Sequence, residues 1–139
     1  MKKIVFTLYT DGCDIYSGYK GNAKSVITDS FYKIKGLLSD RVLAEIIGDN
    51  KVKDISFDIT YYASAIDDDG DDIEESGKDF DYIHDVANDY DLEYSEAYIT
   101  GLVKCKIIIV EDAVKQLITY LNKVFKESIQ EDAIDIQDA

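Results

Sequence analysis

From Asp54 to Ala63 the chain alternates with a period of two. Ile55, Phe57, Ile59, Tyr61 and Ala63 fall on one side, and Asp54, Ser56, Asp58, Thr60 and Tyr62 on the other. Only an extended strand sends successive side chains to opposite faces. One apolar and one polar face mark a sheet buried on one side, the habit of antiparallel sheets. Ile99, Val103, Cys105, Ile107 and Ile109 repeat the pattern against Thr100, Lys104 and Lys106. Residues Lys3 to Tyr9 are rich in β-branched and aromatic types and read as a third strand. The Asp11-Gly12 pair that follows predicts a type I′ turn, with Cys13 to Tyr19 as the returning fourth strand.

Elsewhere the period lengthens. Ile27, Phe31, Ile34, Leu38, Val42 and Ile46 recur at helical spacing after Ala23, with Gly36 and Ser39 predicting a break and Gly48 a stop. A second helical run opens at Glu111 and Asp112 and carries Val114, Leu117, Ile118, Leu121, Val124 and Phe125. Acids at its start and Lys123 and Lys126 at its end suit the helix dipole. The expected fold is α+β, an antiparallel sheet of about four strands packed on one face by two helices. Residues 1–130 fit a single domain by size, and 131–139 read as a frayed acidic tail.

One segment stands apart. Ile66 to Glu96, "IDDDGDDIEESGKDFDYIHDVANDYDLEYSE", holds fourteen Asp and Glu against Lys78 alone, a charge of −13 in a chain totalling −14. It reads as an insertion of a loop and a helix. The loop, Asp67 to Glu75, has Ile73 as its one apolar side chain and is expected to be dispensable for folding. Ser76 with Asp79 fits a capping box, predicting a helix over 77–94. Phe80, Ile83, Ala87, Tyr90 and Tyr94 would dock it, and Asp81, Asp85, Asp89 and Glu93 would form a carboxylate row along another face. Like charges at i and i+4 cost a helix a few tenths of a kcal/mol each, so the row opposes folding. Four residues rise about 6 Å, close to the through-space spacing of backbone phosphates, whose axial step is about 3.4 Å. Tyr82, Tyr90, Tyr94 and Tyr98 would add flat contact area at low entropic cost. The competing reading is a solvated face that maintains solubility.

Several function classes find no support in the residues. Nucleic acid and anionic lipid demand Lys and Arg patches, so direct binding to either is disfavoured. No apolar run approaches the ~18 residues that span a membrane, and "MKKIVFTLYT" reads as a strand, not a signal peptide. Two distant cysteines suit a reducing, cytoplasmic setting. An EF-hand register on Gly70 puts Ala65 and Ser76 at ligand positions, and one on Gly77 puts Ile83 at the twelfth, so both fail. His84-Asp85 is an isolated "HD" pair in a chain with one histidine, too few for a metal phosphohydrolase. His84 is expected at the border of the docked face. Cys105 falls on an inward strand position as inert core, and Cys13 has no evident activator. No nucleotide fingerprint or zinc spacing occurs. The expectation is no catalytic residue, no metal and no cofactor.

Small, acidic, proline-poor α+β proteins with a carboxylate face include phage and mobile-element inhibitors, and this chain resembles that class. The resemblance implies an anti-CRISPR or anti-restriction DNA mimic, a non-enzymatic inhibitor that blocks the basic surface of a nucleic-acid-handling protein, either a nuclease or an effector complex. Immunity proteins that neutralise basic nuclease toxins are similar in composition. A divalent-cation-binding module using Asp67 to Asp72 is the alternative from a different class.

Overall fold

The computed structural model describes residues 1–14, 20–66, 69–89, 97–129 and 134–139, with residue 20 and residues 87–89 described in their backbone only. The architecture is α+β. Strands β1 (Lys2–Tyr9), β2 (Cys13–Asp14), β3 (Val52–Ile66), β4 (Asp72–Gly77), β5 (Ala97–Ile109) and β6 (Asp135–Asp138) form one antiparallel sheet. Its order is β4-β3-β5-β1-β6, with β2 pairing with β5. Among the described residues there are four α-helices, α1 (Lys20–Leu37), α2 (Asp40–Ile47), α3 (Phe80–Asp89) and α4 (Val114–Val124). The expectation of about four strands and two helices, with a break in the first helix and a third helix in the acidic insertion, is approximately right: among the described residues the strands number six and the α-helices four. No helix is long and apolar enough to cross a membrane among the described residues.

By its internal contacts the chain forms two compact units. The first comprises Met1–Tyr9, Tyr32–Asp58 and Val103–Ala139, the second Thr10–Phe31 and Ile59–Leu102. In the first unit, alternate positions of β1 (Ile4, Phe6, Leu8) and β5 (Val103, Cys105, Ile107, Ile109) are buried. Helix α1 ends where the sequence predicts a break. Ser39 Oγ then caps α2 by accepting from Val42 N–H at 3.3 Å. Gly48, at φ +101°, stops α2 and donates its N–H to the Ala44 carbonyl. Helix α4, led by a 3-10 turn at Glu111–Ala113, buries Leu117, Tyr120 and Leu121. Tyr120 Oη donates to the Leu37 carbonyl at 2.7 Å, tying α4 to the end of α1.

The C-terminal residues depart from expectation. Asp135–Asp138 are not a frayed tail but an edge strand antiparallel to β1, in the register Lys2↔Asp138 to Val5↔Asp135. Their side chains are exposed, so no buried face betrays the strand in the sequence. Backbone pairing and the Lys2–Asp138 ion pair hold it. Residues 131–133 of the expected tail lie outside the described residues.

The second unit closes on Ala23, Ile27, Ala63, Ala65, Phe80, Ile83, Ala97 and Ile99. Two expectations fail here. The Asp11-Gly12 turn does not fold β1 back onto Cys13: neither residue has a positive φ, and β2 instead pairs with β5 through Cys13↔Ile99 and Asp14↔Tyr98. Tertiary bonds override the local turn preference. Thr10 N–H donates to the Gly101 carbonyl and Thr10 Oγ1 accepts from Gly101 N–H, both at 2.9 Å, while Asp11 N–H donates to Ser30 Oγ. Residues 15–19 of the expected return strand lie outside the described residues.

The acidic loop is the second failure. Asp72–Gly77 form a strand against β3, from Ile66↔Asp72 to Tyr61↔Gly77. Ile73, Glu75 and Gly77 are half-buried while Asp72, Glu74 and Ser76 are exposed. That is strand alternation, masked in the sequence because only one inward residue is apolar. Gly70, at φ +81°, sits in the turn between the strands.

Candidate acidic surface

The charge divides by structural unit. The first unit carries twelve Lys and Arg against twelve Asp and Glu, and is neutral. The second carries three against seventeen, and so holds the entire net charge of −14. A concentration of one sign on one folded unit raises the local potential and speeds encounter with oppositely charged surfaces.

Within that unit the carboxylates are presented by α3 and β4. Helix α3 begins at Phe80, three residues later than the capping box predicts. Ser76 is part of β4, and Asp79 is the cap: its Oδ1 accepts from Asp81 N–H at 3.1 Å and Tyr82 N–H at 3.5 Å. Phe80 and Ile83 dock the helix and are buried. The Phe80 ring stands edge-on to Tyr61 at 5.2 Å between centroids, with Lys24 Nζ 5.9 Å from its own centroid. Gly77 lets α3 approach β4, since a Cβ there would lie 3.2 Å from Ile83 Cδ1.

This docking leaves Asp81, Tyr82 and Asp85 exposed, Tyr82 by 58%. Asp81 and Asp85 are one turn apart, about 6 Å along the axis. Asp89 ends the helix with its side chain outside the described residues, and Glu93, Tyr90 and Tyr94 lie outside them altogether. Of the row, the described side chains are its first two members, Asp81 and Asp85. β4 contributes exposed Asp72 and Glu74, which the sequence reading placed in a loop. The signal that could have found them is the inward pair Ile73 and Gly77, four residues apart and so on one face of a strand.

Tyr98 belongs to a different place. It stands on β5 opposite Asp14, 41% exposed, with its ring over Gly12. A Cβ at Gly12 would lie 2.0 Å from Tyr98 Oη, so this approach needs glycine. Burial pushes the phenol pKa up, and the charges of Asp14 and Asp11 push the same way, against a bond from the Gly12 backbone. Nearby Cys13 is half-buried, its Sγ accepting from Asn22 Nδ2 at 3.9 Å.

His84 is not at a border. It is buried at 3% exposure beside Phe80, 5.7 Å between ring centroids, and its Nδ1 has no hydrogen-bond partner. Asp85 Oδ1 is 3.7 Å away, an electrostatic neighbour but too far to accept a hydrogen bond. Cys105 is fully buried and its thiol pKa is pushed up to about 12 by burial. Thr100, expected on the outward face of its strand, is buried, and its Oγ1 donates to the Thr10 carbonyl at 3.0 Å. Among the described residues no three His, Cys, Asp or Glu side chains gather as metal ligands would. Asp67 and Asp68 of the cation-module alternative lie outside those residues. Comparison with known proteins finds no matching family, curated protein or solved structure.

Proposed function

We propose that this chain is a non-enzymatic binding protein that occupies the basic, nucleic-acid-binding surface of a partner, in the manner of anti-CRISPR and anti-restriction DNA mimics. The observation that carries this reading is the partition of charge, a neutral unit joined to one bearing −14. Charge needed only for solubility would be spread over the whole surface with both signs interspersed. Here Asp81, Asp85, Asp72 and Glu74 project from ordered helix and strand, and exposed Tyr82 adds flat apolar area beside two of them. Complementary charge of this kind governs on-rate and partner choice. A partner evolved to hold phosphates supplies the Lys and Arg it requires.

The test starts from a nuclease-treated lysate, from which immobilised protein captures its partner. Labelled DNA or RNA bound to that partner is then titrated with wild type and with the variant Asp72→Asn, Glu74→Gln, Asp81→Asn, Asp85→Asn, at two salt concentrations. Wild type displaces the nucleic acid, less well at high salt because surface charges are screened over about 8–10 Å at 0.1–0.15 M. The folded variant does not. Equal displacement by both proteins, or by neither, rejects the mimic.

A further inference from the structure

The neutral unit has a groove that the proposed function does not use. It lies between α2 and α4, with a volume of about 520 Å³, and is lined by Ile46, Tyr120, Val124, Thr119, Gln116, Lys115 and Lys123. Ile46 and Val124 are 41% and 37% exposed. Tyr120 is anchored by its bond to the Leu37 carbonyl, which fixes the ring as a wall. Lys115 and Lys123 lie eight residues apart on α4, about 12 Å along its axis and on one face. Among the described residues no Asp or Glu lines this groove, in a chain that has 29 of them. An apolar trough bordered by cations selects an occupant that is both apolar and anionic.

We infer that this occupant is helix α3 of a second copy. Its exposed turn joins the two required properties: Tyr82 supplies a ring for the trough, and Asp81 and Asp85 flank it with carboxylates. The long lysine stems pack along apolar surface while their ammonium groups reach outward, so both can close on carboxylates one turn apart. Repulsion between two chains of net −14 is screened beyond about 8 Å at physiological salt, whereas paired charges in contact are screened far less. The two patches differ, so the contact is heterologous and copies add head to tail. Such a contact covers the α3 face that the proposed function assigns to a basic partner, so self-association and partner binding exclude each other. The inference itself rests on the groove and not on that assignment.

Sedimentation over a concentration series tests it with exchanged charges. Wild type rises in mass with concentration. Lys115→Glu with Lys123→Glu stays monomeric, because an acidic groove meets an acidic helix. Asp81→Lys with Asp85→Lys stays monomeric for the converse reason. Mixing the two variants restores association, since each now offers the other matching charges. Tyr82→Ser, which leaves every charge in place, weakens the wild-type association, and so provides a second arm should an exchange variant misfold. A wild type that is monomeric throughout, a mass rise indifferent to either exchange, or a mixture that stays monomeric would overturn the inference. The Lys115→Glu, Lys123→Glu variant keeps α3 intact and still displaces nucleic acid from a captured partner. Failure of displacement with a successful charge exchange therefore sinks only the proposed function.

Discussion

Thr10 does the work that the Asp11-Gly12 turn was expected to do. Its backbone and hydroxyl both bond Gly101, and its carbonyl accepts from Thr100 Oγ1. Thr10→Val keeps the shape and leaves the Gly101 N–H buried without its acceptor, at a cost of about 1–3 kcal/mol. Urea denaturation reads this directly, and a loss below about 0.5 kcal/mol would mean that water replaces the hydroxyl. The two thiols make a second residue-scale contrast. Cys105 stays protonated, with a pKa near 12, and is sealed in the core. An alkylating reagent at pH 8 should therefore modify half-buried Cys13 in the native protein and reach Cys105 only after denaturant is added. Mass spectrometry of the two peptides settles it, and native labelling of Cys105 would place it outside the core. Gly12 was legible as a special position, but not for the right reason: the constraint is the Tyr98 ring above it, a contact distant in sequence.

At the scale of elements, β4 and β6 are the strands that sequence reasoning misses, and the cause is the same for both. Residues 55–63 and 99–109 were legible because a face that is half-buried in β3 and buried in β5 favours apolar residues at every second position. Strands β4 and β6 are the two edges of the sheet. They are held by one neighbour each, and β6 buries nothing. Acidic residues have low strand propensity, yet charge on an edge also discourages pairing with other edges, so a real edge strand can look like a loop. The helix start was misplaced because Ser76 and Asp79 can both cap, and β4 claims Ser76 through its pairing with Tyr62. Replacing residues 67–71 with a Gly/Ser turn of equal length should leave the unfolding midpoint within a few degrees. Replacing Asp72–Gly77 should lower it by several degrees, because Ile73 and the close approach of Ile83 to Gly77 are lost together. Equal midpoints would show that β4 adds nothing to stability.

For the molecule as a whole, the excess of acid was legible from composition, and most of it from one segment. Its confinement to one unit was not. That unit draws on residues 10–31 and 59–102, and the neutral unit is assembled from three separate stretches. Burial adds a second global property. The thiol of Cys105 and the phenols of Tyr61, Tyr98 and Tyr120 all titrate higher in the folded chain than their ordinary values, with burial the leading cause each time. Each group holds its proton more tightly when folded, so between the ordinary and raised values the native state binds more protons than the unfolded one. Stability is then complete below about pH 9 and falls as pH climbs through the raised values. Thermal melts should hold level from pH 8 to about pH 9 and decline from there to pH 11, and a profile flat throughout would contradict the burial of these groups.

The pairing of β3 with β4 has a consequence for how this chain can change over generations. Tyr61, Ala63 and Ala65 oppose Gly77, Glu75 and Ile73, while the outward positions hold Asp72, Glu74 and Ser76. Substitution at the outward positions alters surface charge and leaves the interior as it was. Insertion of a single residue after Ser76 does the reverse: it sets Ser76 against Ala63 and Glu74 against Ala65, and sends Ile73 to water. A deep mutational scan scored for folded abundance should accordingly find this stretch permissive in the identity of its acids and intolerant of any change in its length.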